Sequence, residues 1–314
     1  MEHEQWGFGF RLSAVGTYSR QLVYEDQINV PVENNQLFID KARPWPQYGA
    51  IYAYNNGANS NYNALNLGVT RRFKRGLQVD SEFVWAHQIG DDVAIPQNFS
   101  CLTCERATDP YPEKLRWTNM VIYALPVGRE RRLLPHVSSA VDKIIGGWQL
   151  TVTNFFTTGQ FLTPTITVPD PTGTYYTGTA SPASITMRPD LVGDPNRGPH
   201  TIQQWFNTAA FAAPPPGSGR FGNSARDTAV GPGENLWHAA LEKSIRFSED
   251  PRMPKLRLDW YCDNVFNHPN WSAPALNLSA PSTVGVITSD SGISSSYSDE
   301  VSARVMAAAV RIVW

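Results

Sequence analysis

The sequence predicts an all-β protein, an antiparallel transmembrane β-barrel with short periplasmic turns and long external loops. Three observations carry this reading. Apolar and polar residues alternate in segment after segment, connections alternate between short and long, and charges keep off the apolar rows in mid-strand. Successive strand side chains point to opposite faces, so alternation gives each strand one greasy and one wet face. Alternation alone fits a sandwich with its apolar face buried as well as a barrel with that face in lipid. The connections and the charges decide between them.

The clearest element is a hairpin over Asn61–Ile89. Leu65, Leu67 and Val69 form one apolar row, and Leu77, Val79, Phe83, Trp85 and Ile89 form the next. Lys74, Arg75 and Gly76 supply the turn, its glycine suiting a tight antiparallel reversal. Before it, Trp6–Tyr18 alternates with Trp6, Phe8, Phe10, Leu12, Ala14 and Tyr18 on one face, and Gln21–Val30 is a weaker strand. Pro31–Asn35 and Ala42–Pro46 are breakers. Gln47–Tyr54 predicts a short strand closed by the turn signal Asn55-Asn56-Gly57.

After the hairpin a polar loop covers about Gly90–Lys114. Arg116–Leu125 is a strand with Trp117, Val121, Tyr123 and Leu125 on one face. Pro126–Gly147 is a connector with a helical turn at Val137–Ile144 and a basic cluster, Arg129, Arg131 and Arg132. Trp148–Phe156 alternates again. Thr157–Asn235, rich in Pro, Gly, Thr and Ser, reads as a loop without structure, too long for a compact soluble domain. Leu236–Phe247 and Lys255–Phe266 are strands around a turn at Ser248–Pro254. Asn267–Glu300 is a polar loop, and Val301–Trp314 is the last strand, its apolar row Met306, Ala308, Val310, Ile312 and Trp314.

Short or moderate links follow Phe73, Leu125 and Phe247, and long ones follow Ile89, Phe156 and Phe266. Outer-membrane barrels have this asymmetry between their two ends. Trp85, Trp117, Trp148 and Trp237 stand near strand ends, as an interfacial girdle would place them, although core aromatics explain any single one equally well. Asp80, Glu82, Arg257 and Asp259 all fall on the polar rows. A Lys or Arg on the lipid side at mid-height costs roughly 2–4 kcal/mol.

Composition narrows the functions. The chain has 314 residues with 17% charged, 11% aromatic and a formal net charge of −2, which argues against a nucleic-acid partner. No apolar run is long enough for a transmembrane helix. The N-terminal residues Met1-Glu2-His3-Glu4-Gln5 are charged and do not read as a signal peptide. Of the three cysteines, Cys101 and Cys104 predict a loop disulfide in an oxidising compartment, favoured over two free thiols. Cys262 reads as a small apolar strand residue.

Collinear short motifs resemble a known family. They include Arg43-Pro-Trp-Pro-Gln-Tyr-Gly49, Asn59-Ser-Asn-Tyr-Asn-Ala-Leu65, Leu125-Pro-Val-Gly-Arg129 and Gly146-Gly-Trp-Gln-Leu150. Thr158-Gly-Gln-Phe-Leu-Thr-Pro164, Arg188-Pro-Asp190, Trp205-Phe-Asn-Thr-Ala-Ala-Phe211 and Asn264-Val-Phe-Asn-His-Pro-Asn270 continue the series. Together they resemble the barrel of TonB-dependent outer-membrane receptors of the Oar-like branch. The resemblance implies a barrel of ~22 strands with a plugged lumen, of which about ten are countable here by alternation. Residues 1–314 are then expected to be the C-terminal portion of the barrel, with signal peptide, plug domain and earlier strands absent. It also implies a barrel-assembly signal at Val310, Ile312 and Trp314, with Ala309 where a glycine is common. Outer-membrane lipid, the barrel-assembly machinery and, through the absent N-terminal region, a periplasmic energy-coupling protein would be its partners. Import of a bulky nutrient of siderophore, oligosaccharide or peptide class is the implied function, in the outer membrane of a Gram-negative-type envelope.

No enzyme and no cofactor are expected. The six histidines pair with no nucleophile motif, and His268 suits a turn. Asp91-Asp92 offers too few ligands for calcium, and a solvated strand end is the safer reading. Arg129–Arg132 is either a site for lipid phosphates or a solvated turn. Arg188-Pro-Asp190 could shape an external loop. The competing function is a secreted all-β binding or adhesion module for glycans, with Trp and Tyr as stacking platforms.

Overall fold

The computed structural model describes residues 2–110, 114–175, 181–248, 250, 252–291 and 303–314. Val301 and parts of the predicted loops lie outside these residues. One antiparallel sheet organises the chain. Its members are β1 (Glu2–Gln5), β2 (Phe8–Gln27), β3 (Tyr52–Lys74), β4 (Leu77–Gly90), the short β5 (Ala107–Thr108), β6 (Leu115–Ala124) and β7 (Trp148–Thr157). Between β7 and the next sheet strand lie six short strands: β8 (Phe161–Leu162), β9 (Ile166–Pro169), β10 (Ser184–Met187), β11 (Asp190–Leu191), β12 (Phe211–Ala212) and β13 (Ala229–Val230). The sheet resumes with β14 (Glu234–Arg246), β15 (Lys255–Asp263) and β16 (Val305–Val313), and a helix, α1, spans Ser139–Ile145. The spatial order β1-β2-β3-β4-β6-β7-β14-β15-β16 is the chain order, a plain meander with β5 added to β4. β1 and β16 are its two edges, and the sheet does not close on itself.

Register fixes the faces. Leu12, Leu67, Phe83, Trp117 and Phe156 stand opposite one another across five strands. Trp260 faces Leu241 on one side and Ala308 on the other. A one-residue slip would mix this row with the charged one, so the pairing is strongly specified. The β3–β4 turn places Arg75 at φ 54° and Gly76 at φ 82°, the left-handed pair that a two-residue hairpin needs. A Cβ on Gly76 would stand 2.8 Å from the Ala124 carbonyl oxygen, so glycine is also required there by space.

Four expectations are corrected. Asn55-Asn56-Gly57 is not a turn, because β3 runs through it: Asn55 and Asn56 pair with Tyr24 and Val23 of β2. Gln21–Val30 is not a separate strand. β2 continues to Gln27 past a bulge between Ser19 and Leu22, where Gln21 takes φ 54° and bends the ribbon without ending it. Thr157–Asn235 is not structureless. β8 pairs with β13, β9 with β10 and β11 with β12. Finally, a cation does sit on the apolar face. Lys243 pairs with Trp148 across β14 and β7. Its ammonium donates to the Gly146 carbonyl and lies 5.2 Å from the Trp148 ring centre, at the short-turn end, where a lysine can leave the apolar band.

The apolar face also carries a polar row. Ser81, Asn119 and Asn154 stand opposite one another on β4, β6 and β7. Ser81 Oγ donates to Asn119 Oδ1 at 2.6 Å, Asn119 Nδ2 to Asn154 Oδ1 at 3.1 Å, and Asn154 Nδ2 to the Leu236 carbonyl at 3.0 Å. The Trp117 indole donates to Ser81 Oγ at 3.0 Å. Each polar group is thus satisfied within the sheet, which is what makes it tolerable on such a face.

The hydrophobic cores lie outside the sheet, among the long connections. One gathers Ala183, Ile185, Met187 and Phe221. The other gathers Phe206, Ala210, Phe211 and Ala229, with Trp205, Leu276, Leu278 and Val284 against them.

Candidate functional site

The described residues of the four long connections, 28–51, 91–114, 158–233 and 264–304, lie at one end of the sheet. They pack into one body. Two arginines from the third connection join it to the second. Arg188, following β10, makes a double hydrogen bond to Glu105 at 2.6 and 3.0 Å, a planar fork that only arginine supplies. Its Nε donates to the Ser224 carbonyl at 3.0 Å and its backbone N–H to Gln97 Oε1 at 2.6 Å. Gln97 N–H in turn donates to Glu105 Oε1 at 2.9 Å. Arg188 is 8% exposed and Glu105 1%, so every lone pair and proton of the pair has to find a partner.

Arg226 is the second joint. It donates to the Glu105 carbonyl at 2.9 Å, the Gly90 carbonyl at 3.0 Å, Asp109 Oδ1 at 3.0 Å and Asp227 Oδ2 at 3.2 Å. Asp92 Oδ1 lies 3.9 Å away. Burial, then the neighbouring Asp109 charge, pushes the Asp92 carboxyl above its ordinary range despite Arg226. Burial likewise raises Asp227, against the hydrogen bond from Thr163. Asp190 goes the other way. Arg220 clasps it at 2.6 and 2.7 Å and holds its carboxyl below the usual value.

The first and fourth connections are tied in as well. Lys41 Nζ donates to the Thr172 carbonyl at 2.5 Å and the Val32 carbonyl at 2.9 Å, and Asn98 Nδ2 to Glu33 Oε1 at 2.6 Å. Thr165 bridges Asn277, and Trp205 N–H donates to the Gly285 carbonyl at 2.8 Å. Trp45 and Tyr48 of the first connection and Tyr52 and Tyr54 at the start of β3 are exposed aromatics.

Below it, the polar face of the sheet is a charged wall. Arg11 pairs with Glu82 at 3.0 Å, Arg257 with Glu242 at 3.0 Å and with Asp259 at 2.7 Å, and Arg311 with Asp259 at 3.4 Å. His238 Nδ1 lies 2.7 Å from Asp263 Oδ1.

The sequence-selected residues fall as follows. Cys101 and Cys104 are joined as a disulfide, their Cα atoms 5.4 Å apart, in the turn that carries Glu105. Val310 and Ile312 share the apolar face of β16, 71% and 63% exposed, and Trp314 follows it, also exposed. His268 sits in a turn held by Asn264, whose Oδ1 accepts its N–H at 2.9 Å. Asp91-Asp92 is not a solvated strand end. Asp91 is buried and accepts Asn59 N–H at 2.5 Å, because the second connection folds back over β4. No group of three or more metal-type ligands occurs among the described residues. Arg188 and Asp190 both anchor the loop body. Arg226, Glu105, Asp109, Asp227 and Arg220 had no signal in the sequence beyond their charge, since most of their partners come from another connection or from distant residues of the same one.

One largely apolar face, one charged face, the shorter connections at one end and long folded loops at the other fit a membrane-spanning β-barrel protein. The model of the outer membrane beta barrel domain matches residues 2–305, and the chain belongs to this family. It is a protein of the outer membrane. No curated protein and no solved structure matches it.

Proposed function

We propose that this sheet is part of the barrel of an energy-coupled, TonB-dependent receptor of the Oar-like kind, which imports a bulky nutrient of siderophore, oligosaccharide or peptide class. One observation carries the reading: the long connections form a single folded body, with its own buried ion pairs, at the outer end of a charged wall. Such a body offers a binding surface, and the wall a polar path. The work is capture, passage and gating. The free edges at β1–β2 and β16 need further strands, since unpaired backbone is not tolerated in lipid. A periplasmic energy-coupling protein and the barrel-assembly machinery, the latter reading Val310, Ile312 and Trp314, are the partners of this proposal.

The test is uptake. Cells with and without the gene grow on panels of siderophores, oligosaccharides and peptides as sole nutrient source, with and without a protonophore. Growth on one class that needs both the gene and the proton gradient is the expected result. Gene-dependent adhesion to glycans without energy-dependent uptake would replace the receptor with the adhesion module.

A further inference from the structure

The β6–β7 connection, residues 125–147, lies at the short-turn end of the sheet, periplasmic in the proposed orientation, and is folded. Ser138 caps α1 by accepting Val141 N–H at 3.4 Å, and Asp142 Oδ1 accepts Arg129 N–H at 2.5 Å. Two contacts fix where it lies. The Trp148 indole donates to the Ile144 carbonyl at 3.0 Å, and Lys243 donates to the Gly146 carbonyl. Both side chains stand on the lipid-facing row, and Trp148 stacks on Trp260 at 5.8 Å on the same row. The end of α1 is therefore held against the lipid side of the barrel wall.

What the connection then presents is mixed in a specific way. Leu133, Leu134, Val141 and Ile144 are exposed, Ile144 at 71%. Arg129, Arg131, Arg132 and Lys143 are exposed beside them. Asp142 already serves the Arg129 backbone, which leaves Glu130 as the acidic residue among them. Exposed apolar side chains next to arginines are costly in water and suit the boundary between acyl chains and headgroups. Here the patch is continuous with a face already in lipid.

We propose that this connection is a docking site for anionic phospholipid of the periplasmic leaflet. The apolar side chains enter the acyl boundary, and Arg131, Arg132 and Arg129 face headgroup phosphates. Guanidinium groups suit phosphate through paired N–H donors.

The experiment uses the whole protein, purified from outer membranes in mild detergent. Native mass spectrometry reads retained lipid, and the protein is then reconstituted into vesicles of phosphatidylethanolamine with or without phosphatidylglycerol. Wild type is expected to keep phosphatidylglycerol selectively, with affinity falling as salt rises. Arg129, Arg131 and Arg132 changed together to Gln are expected to lose about fivefold per arginine removed. The same three changed to Lys keep the charge and most of the selectivity. Heat-modifiable gel mobility reports that each variant is folded. Folded Gln variants that retain phosphatidylglycerol as wild type does would overturn the proposal. So would wild-type protein without preference between the two lipids, and the patch would then belong to a periplasmic protein.

Discussion

Arg188 and Glu105 lie 83 residues apart in sequence, yet their side chains meet as a parallel pair of hydrogen bonds of 2.6 and 3.0 Å. Both are buried. Removing one partner of such a pair leaves the other charged and unpaired, at a cost of roughly 3–5 kcal/mol. Arg188→Met is therefore expected to open the outer loop body while the strands stay in the membrane. Protease added to intact cells should cut within residues 91–114 and 158–233 in the variant only. Equal resistance in wild type and variant would show that the pair does not hold the loops.

The carboxyls around Arg226 predict a dependence on pH. Asp92 and Asp227 have raised folded-state values. Between the ordinary carboxylate value and the raised one, the folded protein binds more protons than the unfolded chain. Stability therefore falls as pH rises through that window. Asp190 is lowered, so its contribution is present above the ordinary value and lost as pH falls through the depressed one. Asp227→Asn should flatten the first trend, its loop stability relative to wild type improving as pH rises. Asp190→Asn should show its deficit above the ordinary carboxylate range and lose it in strong acid. Hydrogen exchange of the loop amides against pH separates the two.

The faces of β7 can be distinguished at adjacent positions. Val152 stands opposite Val121 and Ala239 on the lipid side, and Thr151 opposite Ile122 and Ala240 on the inner side. Val152→Arg is expected to destabilise by ~2–4 kcal/mol, the cost of a cation in mid-membrane. Thr151→Arg should cost far less. Urea unfolding from vesicles measures both, and equal effects would refute the assignment of faces.

The polar row predicts non-additivity. Asn154→Leu leaves Asn119 Nδ2 without its acceptor and should cost about 1–3 kcal/mol. Changing Ser81, Asn119 and Asn154 together to apolar residues, with Trp117→Phe to remove the indole that donates to Ser81, takes away the whole network and should cost less in unsatisfied groups than that single change. A combined variant worse than Asn154→Leu would mean that the row contributes more than its own satisfaction.

Much of the sheet was legible because its cause is periodic. Leu65, Leu67 and Val69 against Phe83 and Trp85 need only period two and a turn. Asn55-Asn56-Gly57 misled because turn propensity is local, while the ribbon is set by its partner, β2. The loop body had no period to read. Its strands β8–β13 span two to four residues, and Phe206, Phe211 and Ile185 bury themselves by tertiary contact. Lys243 escaped for a related reason. Its tolerance comes from Trp148 and Gly146, which the sequence places far from it. Of the loop anchors, Arg188 and Asp190 were visible only as a motif, and their partners Glu105 and Arg220 emerged from the packing.

The length of the β2–β3 ribbon has a consequence of its own. β3 has 23 residues, while crossing the apolar layer takes about 9–11. Some 12 residues, or roughly 40 Å of strand, stand clear of the bilayer, with Tyr52 and Tyr54 at the far end. With the loop body facing outward, as proposed, whatever approaches the cell, whether phage, antibody or neighbouring surface, meets this mast before it meets the wall.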